Sequence, residues 1–280
     1  MVIYKSIKVA RAISKSGLPD IDYALNPYIG CEHSCIYCYS PDFTRNKEVA
    51  YNWGSIVVIK ENIAEVLEKE IKKLKKGTVG VSTITDPYQP IETKKELTRK
   101  CLKILASHGF KVSIQTKSTL VLRDSDIIEP ELFDVGVTIT TMRRNVAKLI
   151  EPNAPPPRAR ARVLEYFTRK GVETWLFLGP IIPGINDDRE QLEEVVKTAA
   201  EIGTYIIYDK LNIKPLSLSN MKRKWPFKIE LREILRLCQT KQYYEKLMNT
   251  INELCKRYSV KCKPAFKYKF PRNLLDYMSK

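Results

Sequence analysis

Three of the seven cysteines, Cys31, Cys35 and Cys38, fall within eight positions. Three thiolates that close together predict a metal site. Thiolates are the usual ligands of iron–sulfur cubes. A set of three leaves one iron of a 4Fe-4S cube without a protein ligand, the kind of open position that separates a reactive centre from a closed structural one. Two plainer readings stand beside it: a structural zinc held by the three cysteines and His33, or inert thiols. His33 lies inside the first cysteine interval and would have to fold back on its neighbours to complete a zinc site. The odd number of clustered cysteines excludes two local disulfides.

The chain that must position these thiols has 280 residues, with 48 Lys+Arg against 32 Asp+Glu and a formal net charge of +16. That length suits one α/β barrel-like domain with an appendage. Met1 to Asp20 has no apolar run long enough for a signal segment, and no later stretch approaches the length that spans a bilayer. A soluble, cytoplasmic protein without a membrane partner is expected, its cysteines free or metal-bound rather than paired. The positive charge favours phosphate-bearing partners such as nucleic acid or nucleotides. Lysine- and glutamate-rich runs such as Glu68-Lys69-Glu70-Ile71-Lys72-Lys73 also fit a generally charged surface. The tail from Lys261 to Lys280 interleaves lysine with Phe266, Tyr268 and Phe270. That pattern can track single-stranded nucleic acid, or it can form a flap closing an open barrel.

Strand and helix signals alternate between these features. A short strand near Tyr23 to Asn26 precedes the cysteines, and Ser55 to Ile59 is an apolar run after them. Asn62 to Lys76 carries one apolar helical face before Gly77, and Val79 to Thr83 reads as a buried strand. Thr93 to Glu96 has the form of a capping box for a helix with Leu97, Cys101, Ile104 and Leu105 on its apolar face, which makes Cys101 a core residue. Strands follow at Val112 to Thr116, Val135 to Thr140, Thr174 to Leu178 and, last, Tyr205 to Tyr208, with helices over Met142 to Ile150, Arg158 to Lys170 and through Leu192 to Ala199. Six strands alternating with helices predict an α/β fold, a partial (β/α)6 TIM-like barrel with right-handed crossovers. Its functional loops gather at the C-terminal strand ends. Residues 1–20 read as an N-terminal extension, 21–218 as the core and 219–280 as a helical, basic C-terminal extension.

The spacing Cys31-x3-Cys35-x2-Cys38, with Tyr37 before the last cysteine, resembles the cluster motif of the radical S-adenosylmethionine (SAM) superfamily. Several further motifs run in order. They are Asn26-Pro27-Tyr28-Ile29-Gly30-Cys31, Thr85-Asp86-Pro87-Tyr88-Gln89-Pro90-Ile91-Glu92, Leu97-Thr98-Arg99, Gln115-Thr116-Lys117-Ser118, Leu122-Arg123-Asp124, Glu151-Pro152 and Pro180-Ile181-Ile182-Pro183-Gly184-Ile185-Asn186-Asp187. Together they resemble the spore photoproduct lyase-like group, over about Tyr23 to Pro215.

The resemblance implies a 4Fe-4S cluster on Cys31, Cys35 and Cys38, with SAM chelating the open iron. It implies Tyr37 and Tyr39 beside SAM, Lys117 on the SAM carboxylate, and Thr83, Thr85 and Thr138 as further strand-end groups lining the site. The implied chemistry is one-electron reduction of SAM, by an external reductant, to methionine and a 5′-deoxyadenosyl radical that abstracts hydrogen from a substrate, with nucleic acid as the candidate class. In the lyase a hydrogen-donating cysteine stands three residues before the aspartate of the second strand loop. Here that place is Thr83, a far poorer hydrogen-atom donor, so the lyase reaction itself is not implied and no catalytic residue is assigned. Cys238, Cys255 and Cys262 match no standard ligand spacing. The other function classes left open are a non-catalytic metal-thiolate nucleic-acid-binding protein and an iron–sulfur electron carrier.

Overall fold

The structure is a computed structural model and describes residues 1–266. Strands β1 (Ile3–Ile7), β2 (Ile13–Lys15), β3 (Tyr23–Leu25) and β4 (Tyr28–Ile29) lead into the cysteine loop. Beyond that loop, α1 (Lys47–Tyr51) starts at Asn46, whose side chain accepts the Val49 N–H. It delivers the chain to β5 (Ile56–Lys60), the apolar run read from the sequence. This strand stays out of the barrel. It pairs parallel with β1 and antiparallel with β4, forming a three-stranded sheet whose Ile56 and Val58 pack with Val49 and Trp53 against Cys31.

Helix α2 (Ile63–Glu70) is shorter than its apolar face predicts, because Ile71–Lys73 tightens to a 3-10 turn and Leu74 is extended. After β6 (Thr78–Val81) come α3 (Glu92–Lys95) and α4 (Leu97–Ser107), separated by Glu96 in a left-handed conformation. The capping box expected at Thr93 to Glu96 does not form. The Thr93 hydroxyl is spent on the Pro90 carbonyl, and the Glu92 carboxylate accepts the Thr98 and Arg99 N–H groups instead. Cys101 lies fully buried in the core, as its helical phase requires.

The alternation then continues with β7 (Lys111–Thr116), β8 (Phe133–Thr138), α5 (Arg144–Ile150), α6 (Pro157–Arg169), β9 (Glu173–Ile181), α7 (Arg189–Ile202) and β10 (Tyr205–Lys210). The six strands β3, β6, β7, β8, β9 and β10 are neighbours in that order and parallel throughout. That is the predicted partial barrel. Val79, Val81, Val112, Ile114, Val135, Val137, Leu176 and Leu178 are at most 1% exposed, and each such burial contributes about 1.5–3 kcal/mol. Strands covered on both sides in this way read as apolar runs.

Helices α8 (Pro215–Lys224), α9 (Leu231–Cys238) and α10 (Lys241–Arg257) follow, and then β11 (Cys262–Pro264). Tyr205 to Tyr208 is therefore not the last strand. β11 returns to pair parallel with β10, while β2 lies antiparallel beside β3 at the opposite edge. Each is three residues long, too short for an apolar alternation to register in sequence. The basic aromatic tail at Tyr268 and Phe270 lies outside the described residues. Among the described residues no helix is long and apolar enough to cross a membrane.

The motifs around Leu97-Thr98-Arg99 and Leu122-Arg123-Asp124 meet in a buried polar knot. Glu92 and Asp124 are both fully buried. Arg123 donates to Glu92 at 2.9 Å and to Asp124 at 2.7 Å, Arg99 donates to Asp124 at 2.9 Å, and the Tyr28 and Tyr88 hydroxyls donate to Glu92 and Asp124 respectively. Removing one partner of such a knot leaves uncompensated buried groups. Glu92→Ala is expected to destabilise the apo-protein by about 3–5 kcal/mol in urea unfolding. A loss of only about 1 kcal/mol or less, the size of an exposed pair, would contradict this account.

Candidate functional site

The cysteine loop is gripped by the loop that follows β6. Gly30 sits at φ +91°, and a Cβ there would come within 2.4 Å of the Ile56 carbonyl oxygen, so no other residue fits. Its carbonyl accepts from the Thr85 hydroxyl at 2.5 Å and from Gln89 Nε2 at 3.2 Å. The Glu32 N–H donates to Gln89 Oε1 at 3.0 Å, and the Glu32 carboxylate accepts the Ile91 N–H and the Tyr4 hydroxyl, both at 2.8 Å. The run from Thr85 to Ile91 is thus a clamp that meets the backbone of the cysteine loop residue by residue.

Asp86 lies at the centre of that clamp. Its carboxylate accepts the Thr116 hydroxyl at 2.7 Å, the Lys117 N–H at 2.8 Å and the Tyr88 N–H at 2.9 Å, and lies 3.2 Å from His33 Nε2. Burial alone would raise its pKa. The His33 ring, the Thr116 hydroxyl and the Lys117 N–H outweigh burial and hold it well below the usual carboxylate range. His33 Nδ1 faces the Asn153 carbonyl at 3.3 Å. His33 is thus held between the Asn153 carbonyl and the Asp86 carboxylate, with no hydrogen-bond partner of its own at Nε2.

Cys31 and Cys35 are buried and Cys38 is partly exposed. Burial, the Asp86 carboxylate and the other two thiols push Cys31 well above its ordinary pKa. Cys35 is pushed up to about 12 by burial, against the attraction of Lys117. Cys38 is raised by burial and relieved by hydrogen bonding from Ser40. The three sulfurs thus sense one another's charge in one pocket, and taking up metal there releases protons. Trp53 is 1% exposed and its indole Nε1 is left without a hydrogen-bond partner. A sulfur acceptor at Cys38 is what that buried donor calls for. Among the described residues no three His, Cys, Asp or Glu side chains form a single-ion site. An all-sulfur donor set with an orphaned, buried indole N–H packed beside it fits an iron–sulfur cluster.

Beside the thiols runs a second buried chain. Tyr37 donates its hydroxyl to Glu151, whose other oxygen is 2.6 Å from Arg160 Nη1. Arg160 also donates to the Pro155 carbonyl at 2.6 Å and to the Thr138 carbonyl at 3.1 Å. Burial would raise the Glu151 pKa, but Arg160 and Lys117 hold it below normal. Lys117 Nζ stands 5.7 Å from the Tyr37 ring centroid. Burial would lower its pKa, but attraction to Cys35 and Glu151 outweighs burial and raises it.

Tyr39 donates to the Thr83 carbonyl at 3.0 Å, and Thr83 is held in turn by Asn26, which accepts its N–H at 3.0 Å. The Thr138 hydroxyl accepts from Gln115 at 3.4 Å. The structure therefore packs Tyr37 in one cluster with Cys35, sets Lys117 beside the Tyr37 ring and ties Tyr39 to Thr83, while the Thr85 hydroxyl is committed to the cysteine-loop backbone. Sequence reasoning missed Arg160, Asp86 as a hub, and His33 as its partner. Arg160 had a signal: it falls in phase with the buried Val163, Leu164 and Phe167 of α6, where an arginine must find a buried anion. Of the remaining cysteines, Cys255 and Cys262 pair as neighbouring thiols.

A model of the radical SAM superfamily matches residues 25–199. An uncharacterized protein of Methanocaldococcus jannaschii is 32% identical over 253 residues, covering 88% of this chain and 92% of that one. An uncharacterized protein of Acidianus two-tailed virus is 34% identical over 202 residues, covering 68% and 66%. A spore photoproduct lyase variant superposes with a TM-score of 0.73 at 13% identity, covering 95% of this chain and 82% of that one. A radical SAM methyltransferase from Sphaerobacter thermophilus gives 0.57 at 13% identity, covering 91% and 68%. At that identity the two likenesses show the fold.

Asp86→Asn keeps the shape of the clamp and removes its charge. At pH 7 the apo-variant is expected to lose about 1.5–3 kcal/mol of stability. Because the folded pKa of Asp86 lies below its ordinary 3.8, its contribution is fully present above that value and is lost as pH falls below it. The gap between wild type and variant in urea unfolding should thus stay constant down to about pH 4 and close at lower pH. A gap that holds its size in acid would show that Asp86 does not act through its charge.

Proposed function

The chain belongs to the radical SAM superfamily, and on that premise we propose that Cys31, Cys35 and Cys38 hold its 4Fe-4S cluster and that Lys117 receives the carboxylate of SAM. When bound, the cluster and SAM supply an electron and a sulfonium whose cleavage gives methionine and a 5′-deoxyadenosyl radical for hydrogen abstraction from the substrate. The protein's own part is to place and to insulate. The observation that carries the reading is Lys117 at the end of β7, its N–H on Asp86 and its Nζ 5.7 Å from the ring of Tyr37, the residue before Cys38, a cation that the carboxylate of SAM could pair with.

Tyr37, fixed by Glu151 and Arg160, would form one wall of the SAM pocket, and Tyr39, tethered to Thr83, another. Thr83 and Thr138 stand at the strand ends around that pocket, and Thr85 would act on SAM only through the loop it anchors. The Thr83 hydroxyl is a poor hydrogen-atom donor, so the reaction we favour returns no hydrogen from that position. An external one-electron reductant completes the cycle.

For the substrate we favour nucleic acid, on the surface next to the cysteine loop. Tyr39 and Phe43 are 42% and 52% exposed and meet edge to face at 5.7 Å. Lys214 Nζ lies 5.1 Å from the Phe43 ring centroid, and the last turn of α8 exposes Lys222 and Arg223. Exposed rings among cations can stack bases and neutralise phosphates. One structural neighbour is a spore photoproduct lyase complexed with dinucleoside spore photoproduct.

Anaerobic reconstitution is expected to give about four iron and four sulfide per chain, and the reduced protein to cleave SAM to methionine and 5′-deoxyadenosine. Lys117→Ala should weaken SAM binding by about 1.5–3 kcal/mol, roughly ten- to a hundredfold, through loss of a charge-assisted partner. A cluster without SAM cleavage would favour an electron carrier, and unchanged SAM affinity in the variant would remove Lys117 from the site. Titration with single-stranded DNA and tRNA at two salt concentrations tests the substrate class. Phe43→Ala should weaken binding at both concentrations, and affinity should fall steeply with added salt.

A further inference from the structure

Among the described residues Lys117 and Lys224 lie against the cysteine loop, Lys117 at the end of β7 in the six-stranded barrel. Lys224 is the last residue of α8. Its Nζ donates to Ser34 Oγ at 2.8 Å and to the Trp53 carbonyl at 3.2 Å. Ser34 lies between two of the cysteines, and Trp53 packs on Cys31. The partners that hold this ammonium are neutral oxygens, so its charge is not cancelled where it sits.

The seat is built for that group. Ser34 adopts φ +54°, a left-handed conformation that few serines take. Gly54, at φ +92°, comes so close that a Cβ there would meet Ser34 Oγ at 2.1 Å. Any other residue at that position would push aside the hydroxyl that receives the lysine. The helix carrying Lys224 is pinned to the same region at its other end, because Asp42 accepts the Leu216 and Ser217 N–H groups at 2.9 and 2.8 Å. Met221 of α8 packs in one cluster with Cys35, Ile36 and Tyr37. Burial and Arg223 lower the Lys224 pKa, and attraction to Cys35 and Cys38 opposes them.

Reduction adds one electron, and no proton, to a centre already carrying three thiolates. A fixed cation nearby stabilises the more negative state, and it is screened little when partly buried. Local charge and hydrogen bonds to sulfur are among the levers that set a cluster's potential. We propose that Lys224 raises the reduction potential of the cluster, so that docking of α8 on the cysteine loop makes the centre easier for a one-electron donor to reduce. This inference rests on the reading that Cys31, Cys35 and Cys38 hold the cluster, and it assigns Lys224 no contact with SAM or substrate.

The test is a potentiometric titration followed by electron paramagnetic resonance, on the full-length, anaerobically reconstituted protein, with iron and sulfide determined first. Lys224→Gln keeps a donor for Ser34 and Trp53 but removes the charge, and Lys224→Arg keeps the charge. The glutamine variant should carry a full cluster with a lower midpoint potential, and the arginine variant a midpoint close to wild type. Ser34→Ala, which frees one of the two anchors, should show a smaller fall in the same direction and keeps the test decisive if the glutamine variant does not fold. An unchanged midpoint in Lys224→Gln, or in Ser34→Ala should it stand alone, would overturn the proposal. So would equal falls in the glutamine and arginine variants, or loss of the cluster from a folded glutamine variant, since each makes Lys224 a clamp only. A wild-type protein that takes up no cluster would instead overturn the cluster reading on which the proposal stands.

Discussion

A buried carboxylate that must find enough donors to stay charged organises this site. Asp86 is 7% exposed, and leaving it without partners there would cost several kcal/mol. Its donors come from three places: His33 inside the cysteine loop, the Thr116 hydroxyl at the end of β7, and the N–H groups of Lys117 and Tyr88. Satisfying one anion therefore sets the cysteine loop at a fixed height over β6 and β7. It also fixes the backbone of the lysine that faces Cys35.

The same reasoning extends outward. Three of the buried carboxylates around the site are paired with arginine: Glu151 with Arg160, Glu92 with Arg123, and Asp124 with Arg99 and Arg123. Each pair joins segments that the strands alone would leave free to shift, since a parallel sheet specifies register along its ladders but not the conformation of the loops above them. The glutamate that fixes Tyr37 begins the turn after α5, and the arginine that answers it sits one turn into α6. Apolar packing supplies most of the stability through the barrel core, while the ion pairs supply position. That division accounts for lone polar residues on otherwise apolar helix faces.

The cations are distributed with a purpose that the net charge of +16 conceals. Most lie on solvated surfaces, where an added or lost pair is worth little. Lys117 and Lys224 differ because they are held inside the site, Lys117 Nζ 5.7 Å from the Tyr37 ring centroid and Lys224 Nζ on Ser34 Oγ and the Trp53 carbonyl. One arrives from the barrel and one from the helices beyond it, so the thiolate pocket is complete only when both parts of the chain are docked.

The amino-acid sequence by itself determined the close spacing of the three cysteines, the six alternating strands, and the loops at their C-terminal ends. Those are properties of spacing and period, which depend on near neighbours in the chain. The tertiary structure decided the rest. It set β5 outside the barrel to back Cys31, added β11 to the open edge, replaced a capping box by the Glu92 carboxylate, and placed His33 beside Asp86. It also joined Lys224 to Ser34 across 190 residues. The physical reason is common to all of these. A buried charge or an unpaired strand edge must be satisfied, but any segment that can reach it will serve, and which one does so is set by packing in three dimensions rather than by distance along the chain.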